Sequence, residues 1–211
     1  MSIHYDIEYN TYPYEHAIMD GAITQKASEV LYGYATNIAE DSISFIRNGQ
    51  EQDNMRMSRN SQGINGLHPE YHNHVGWAMD KLCRMFEDYD PEYREWWFSL
   101  TETNRNFGNF LHPHTDDPRQ LEERDPGMPT ATLKCLLYLA EPRIKYKNYG
   151  TNIYLSQDRS SFVKEVEFVQ CRLFMWKTGP TSWHGTNFTS GLPHRRMFYT
   201  GEYMLKEMNN G

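Results

Sequence analysis

From Tyr93 to the C-terminus the chain runs as short segments rich in aromatic and β-branched residues, each cut off by Pro, Gly, Asn or Asp at spacings suited to antiparallel strands. The expected strands are Glu95–Glu102, Thr130–Ala140, Gly150–Leu155, Phe162–Val169, Arg172–Trp176, Ser182–Phe188 and His194–Met204. Before residue 93 the rhythm changes. Ile23, Ala27, Val30, Leu31, Tyr34 and Ile38 recur at three- and four-residue intervals and predict a helix. Val75, Met79, Leu82, Cys83 and Phe86 predict a second one, following Pro69 at a favoured first-turn position. Helices followed by a run of strands predict a β-sandwich or barrel flanked by helices on one side. Between the predicted helices, Asn48 to Leu67 is polar and long for a connection, so an active-site lid is the sharper expectation for it.

One domain is expected for 211 residues, with 1–92 as mainly helical support and 93–211 as the barrel core. Its 38% hydrophobic and 14% aromatic content suffices for a core despite a mean hydropathy of -0.80. A net charge of -7, from 21 basic and 28 acidic residues, disfavours nucleic acid as a partner. The opening Met1 to Asp6 lacks the basic and apolar regions of a secretory signal, and the most apolar stretch, Cys135 to Ala140, is too short to span a bilayer. A soluble, cytoplasmic protein is expected, with no membrane partner. Cys83, Cys135 and Cys171 are odd in number and widely spaced, which suits small core residues better than disulfides or a zinc knuckle.

The strongest chemical pattern is Phe110-Leu111-His112-Pro113-His114-Thr115-Asp116-Asp117. Strand side chains alternate, so His114 and Asp116 share a side and can take adjacent corners of one metal. Trp183-His184-Gly185, after the turn-rich Lys177 to Pro180, offers a third ligand. Two histidines and a carboxylate on one face form the triad of non-haem Fe(II) oxygenases. A His-x-Asp tripeptide alone is weak evidence and needs support. It comes from His194-Arg195-Arg196, where alternation sends the two guanidinium groups opposite ways and one inward-facing fork suits a dicarboxylate. Other features read as structural. His68 to His74 contains a helical histidine pair without a third ligand, His112 suits a supporting or surface role, and Trp96, Trp97 and Trp176 suit a core.

Together these residues resemble the Fe(II)/2-oxoglutarate-dependent dioxygenases, most closely the prolyl-4-hydroxylase-like and phytanoyl-CoA-hydroxylase-like branches, over about the last half of the chain. Phe107 to Leu111 leading into His114-Thr115-Asp116-Asp117 looks like the strand entering the family's His-x-Asp motif. Cys135-Leu136-Leu137-Tyr138-Leu139 is similar to the strand whose tyrosine reaches the cosubstrate. Arg172 to Trp176 and Trp183 to Asn187 are similar to the strand and turn carrying the distal histidine. The resemblance implies a double-stranded β-helix, a cupin-like jelly-roll barrel. It also implies Fe(II) held by His114, Asp116 and His184, which then serve as the catalytic set.

By the same resemblance 2-oxoglutarate is held by Tyr138 and Arg195, whose +11 offset from His184 matches the phytanoyl-type pattern, with Arg196 as the alternative one register away. The implied activity consumes dioxygen, hydroxylates an unactivated C–H bond and releases succinate and carbon dioxide. Relatives that halogenate lack the carboxylate that Asp116 supplies here, so hydroxylation is favoured. The sequence departs from its relatives at Tyr149-Gly150-Thr151-Asn152, where paired glycines are frequent, and at Asn104 and Asn106, where a tyrosine is expected. A small-molecule or peptidyl substrate fits, and the oligomeric state is left open. The rival readings are a cupin-like metalloenzyme that does not use 2-oxoglutarate and a noncatalytic binding barrel.

Overall fold

The computed structural model describes residues 6–40, 44–47, 50–58, 69–86, 94–102, 112–117, 131–140, 146–186 and 195–205. Its elements run β1 (Asp6–Asn10), β2 (His16–Asp20), α1 (Gln25–Glu40), β3 (Ser44–Arg47), β4 (Gln50–Ser58), α2 (Pro69–Cys83), β5 (Arg94–Glu102), β6 (Ala131–Leu139), β7 (Tyr146–Tyr154), β8 (Phe162–Phe168), β9 (Leu173–Lys177), β10 (His184–Gly185) and β11 (Arg195–Leu205). Among these residues an eight-stranded sheet has the order β1-β2-β9-β6-β11-β5-β4-β3, and a three-stranded sheet has the order β10-β7-β8. A bridge between His114 and His184 adds the 112–117 segment to the smaller sheet. From β5 onward the chain therefore passes back and forth between the two sheets, with β7 and β8 as a consecutive pair in the smaller one and every pairing antiparallel. That winding is a double-stranded β-helix.

Side-chain alternation gives the larger sheet two buried faces. Leu133, Cys135, Leu137 and Leu139 of β6, with Leu173, Met175, Tyr199 and Tyr203, pack against Ala27 and Leu31 of α1 and Val75, Met79 and Leu82 of α2. The opposite parity, Tyr138, Phe174, Trp176 and Phe198, packs against Ile153, Val166 and Phe168 of the smaller sheet. A strand covered on both faces is apolar throughout rather than alternating, which is why Cys135 to Leu139 reads as a continuous run. The helix ends follow local chemistry. The Thr24 hydroxyl accepts from the Ala27 N–H at 3.2 Å and caps α1, and α2 begins on Pro69. All three cysteines are buried and none is in a disulfide.

The amino-terminal part departs from its expected helical character, because it contributes four strands, β1 to β4, besides the two helices. Much of the polar segment at Asn48 to Leu67 is also strand. Gln50–Ser58 pairs with β3 and β5 rather than serving only as a connection, and residues 48–49 and 59–67, with the lid expected of them, lie outside the described residues. Its Gln, Asp, Asn and Arg residues have little strand preference of their own, and the ladder offered by β5 overrides it. Of the strand expected at Ser182–Phe188, residues 182–186 are described and only His184–Gly185 is strand. No helix of the described residues is long and apolar enough to cross a membrane.

Candidate metal centre

His114 and His184 exchange both backbone hydrogen bonds at 2.9 Å, as directly opposed residues of an antiparallel pair do, which sets their rings side by side with centroids 4.4 Å apart. Asp116, two residues beyond His114, returns to the same side. Its Oδ2 lies 3.2 Å from His184 Nε2 and its Oδ1 lies 3.8 Å from His114 Nε2. The three ligand atoms all fall within 4.8 Å of one another. Donors bonded at about 2.1 Å to one octahedral ion stand about 3 Å apart along each edge, so the triad needs little adjustment to close on a divalent metal.

Each histidine is also oriented from behind. A backbone carbonyl can only accept, so His114 Nδ1–H donates to the His112 carbonyl at 2.9 Å and His184 Nδ1–H donates to the Ser182 carbonyl at 2.8 Å. Both Nε2 lone pairs are thereby left for a metal. Ser182 is itself fixed, because its hydroxyl donates to the Gly179 carbonyl at 2.8 Å and accepts from the Gly179 N–H at 3.0 Å. His112 contributes through its backbone. Its exposed ring accepts from the Arg159 guanidinium at 3.3 Å.

Burial, then the neighbouring His184 ring, pushes the His114 pKa down to about 4. Burial alone would raise the Asp116 carboxyl, but the Lys134 ammonium 3.3 Å from Oδ2, together with His184 and His114, holds it well below the usual carboxylate range. Near neutrality His114 is therefore a neutral imidazole and Asp116 a carboxylate, the protonation states that metal binding needs. A depressed histidine pKa also has a stability signature. On acidification the unfolded chain takes up this proton near pH 6.5 and the folded one only near 4, so stability present above pH 6.5 is lost across that window. The melting temperature of the metal-free protein should fall between pH 6.5 and 4, and fall less steeply in His114→Gln. Equal slopes would remove His114 as the cause.

Beside the triad the inter-sheet cluster is aromatic. Tyr138 is fully buried, and its hydroxyl donates to Thr151 Oγ1 of β7 at 2.7 Å. The Trp176 ring stacks on Phe174 at 4.9 Å and lies 4.8 Å from the His184 ring. Arg195 and Arg196 open β11, where their backbones pair with Glu102 and Thr101 of β5. The structure thus gathers His114, Asp116 and His184 into one candidate centre and sets Tyr138 in the aromatic cluster beside it. Sequence reasoning missed Lys134, whose position among apolar neighbours in β6 was the available signal. It also missed Tyr14, which joins the inter-sheet cluster from the turn before β2, with nothing in its local sequence to mark it.

No family model and no curated relative matches the chain. Among solved structures it is similar to a prolyl hydroxylase from Trichoplax adhaerens, in complex with a hypoxia inducible factor oxygen degradation domain peptide, with a TM-score of 0.63 at 13% identity over 90% of this chain and 83% of that one. A Pseudomonas putida prolyl-4-hydroxylase aligns with a TM-score of 0.58 at 13% identity over 91% and 93% of the two chains. The epimerase SnoN, in complex with Fe3+, alpha ketoglutarate and nogalamycin RO, aligns with a TM-score of 0.57 at 9% identity over 93% and 86%. The chain has the fold of the Fe(II)/2-oxoglutarate oxygenases. At these identities the likeness is one of fold, and within that oxygenase fold the chemistry must be argued from the side chains.

Proposed function

We propose that this protein is an Fe(II)- and 2-oxoglutarate-dependent oxygenase that hydroxylates an unactivated C–H bond of a small-molecule or peptidyl substrate. The observation that carries the reading is the triad itself, in which two Nε2 lone pairs, each oriented by a carbonyl two residues earlier, meet one carboxylate on a shared face. Three protein ligands leave three positions for a bidentate oxo acid and dioxygen. Bound there, the metal would couple decarboxylation of 2-oxoglutarate to insertion of oxygen into the substrate, releasing succinate and carbon dioxide. The chain's own work is to orient His114 and His184, keep Asp116 ionised and surround the reacting atoms with aromatic walls.

Strand parity bears on the arginine that meets the far carboxylate of the cosubstrate. Arg196 has the parity of Phe198, which lies in the inter-sheet cluster, whereas Arg195 has that of Tyr199, which lies in the helix-side cluster. This favours Arg196 over the spacing-based choice of Arg195. Arg196→Ala should weaken 2-oxoglutarate binding by at least about tenfold, the scale of a lost bidentate charge-assisted contact, with Arg195→Ala and Tyr138→Phe doing less. The reverse order for the two arginines would restore Arg195.

The activity is tested by loading the protein with Fe(II) without oxygen, titrating 2-oxoglutarate, and then screening peptide and metabolite pools for succinate release. Hydroxylation adds one oxygen to the product mass, whereas epimerisation, the reaction of SnoN, leaves the mass unchanged. A product of unchanged mass would overturn hydroxylation, and failure of 2-oxoglutarate to bind would overturn the oxygenase reading as a whole.

A further inference from the structure

In and beside the inter-sheet cluster, the Tyr14 hydroxyl, Trp176 Nε1 and His16 Nε2 are buried polar atoms without a hydrogen-bond partner among the described residues. Native interiors satisfy nearly all such groups, and an exception calls for a cause. Two of the three lie beside the metal centre. The Trp176 ring is 4.8 Å from that of His184, and Tyr14 belongs to the same cluster as Tyr138, Phe174 and Trp176, where the Asp116 carboxylate and the Tyr138 hydroxyl both act on its phenol.

Their chemistry is that of donors. An indole N–H has no acceptor capacity, and burial, more than the neighbouring Tyr138 and Asp116, holds the Tyr14 phenol in its protonated form. Two donors held in an apolar cluster next to a candidate metal triad are complementary to the oxygens of an anion. His16 differs in kind. Its Nδ1–H donates to the Tyr14 carbonyl at 2.8 Å, so its free Nε2 is a lone pair that calls for a donor instead. That bond and the tilted contact between the His16 and Tyr14 rings, at 5.6 Å, fix Tyr14 in place.

We propose that Tyr14 and Trp176 are cosubstrate-binding residues, the phenol hydroxyl and the indole N–H each donating a hydrogen bond to oxygens of the 2-oxo acid bound at His114, Asp116 and His184. This rests on the oxygenase reading above and extends it. The strands of the barrel then supply only part of the cosubstrate site, and the turn between β1 and β2 supplies the rest. The amino-terminal hairpin, which pairs with the barrel edge through β2 and β9, becomes part of the cosubstrate pocket as well as of the sheet.

The test uses whole protein loaded with Mn(II), which permits binding without turnover, and calorimetric titration of 2-oxoglutarate. Tyr14→Phe should raise the dissociation constant by about tenfold, as expected for losing a bond to a charged acceptor, with Mn(II) affinity unchanged. Because the hydroxyl has no partner in the free protein, the same substitution should leave the melting temperature of the metal-free protein equal or higher, while shrinking the thermal shift that 2-oxoglutarate produces. Trp176→Phe should likewise weaken 2-oxoglutarate more than Mn(II). If Tyr14→Phe binds 2-oxoglutarate like wild type, or melts lower with an undiminished ligand shift, the phenol serves a structural role through a buried water and the proposal fails. If wild-type protein takes up Mn(II) but not 2-oxoglutarate, the oxygenase reading falls first and this inference with it.

Discussion

His184→Ala should abolish metal-dependent turnover and reduce Fe(II) affinity by well over a hundredfold. Losing a group that merely supports a ligand costs about ten- to a hundredfold, and a ligand itself must cost more. His184 is the centre's most constrained member, at 5% exposure, with Nδ1 committed to Ser182, Nε2 3.2 Å from Asp116, and both backbone groups bonded to His114. The fold should survive, since its two hydrophobic clusters do not include this ring. His112→Ala is the matched control. Its backbone carbonyl, which orients His114, is retained by alanine, and only the exposed ring facing Arg159 is lost. Metal analysis after anaerobic reconstitution should find iron in His112→Ala and almost none in His184→Ala, with circular dichroism unchanged in both. Full iron occupancy in His184→Ala would sink the triad.

The parts of this molecule legible in its sequence are those where local chemistry and tertiary structure agree. Strands β6 and β9 announce themselves because both their faces are buried, and the helices because their apolar spacing matches the single face they turn to the sheet. The triad was legible for a similar reason. A His-x-Asp pair on one strand shares a side by alternation, and a distal histidine after a tight turn is a recognisable complement. What escaped reading was decided at long range. β4 is a polar edge-region strand made by its neighbour β5, and β1 is a five-residue strand bearing Asp6, Glu8 and Asn10 that, among the described residues, pairs with β2 alone. Tyr14 is 100 residues from His114, and the pairing of β2 with β9 brings it to the inter-sheet cluster. Trp176 looked like core and is core, yet the unpaired N–H on its ring has no trace in the sequence.

Gly150→Ala should be the most destabilising conservative change in the smaller sheet, by about 3 kcal/mol, within the range for overpacking a filled interior. The cause is backbone proximity. A Cβ built at residue 150 would fall 2.1 Å from the carbonyl oxygen of Val166 and 2.7 Å from Cγ and Oε1 of Glu165. The glutamate side chain can swing aside, although it would forfeit the 2.7 Å bond it accepts from the Gly150 N–H. The Val166 carbonyl belongs to the backbone of β8 and can retreat only if β7 and β8 part, at a place where their register already shifts between Tyr146 and Thr151. Damage there reaches the candidate metal centre by two short routes. Thr151, the next residue, accepts the bond that holds Tyr138, and Ile153 of the same strand pairs with His184. Gly150→Ala should therefore melt roughly 10 °C below wild type for a protein of this size and bind Fe(II) more weakly as well. Gly33→Ala provides the contrast, because nothing lies within 4 Å of its added Cβ on an exposed turn of α1. Relief of the helical glycine penalty should raise its melting temperature slightly. Gly150→Ala melting with wild type would mean that β8 can yield at Val166, and that the close approach at Gly150 does not set the position of His184.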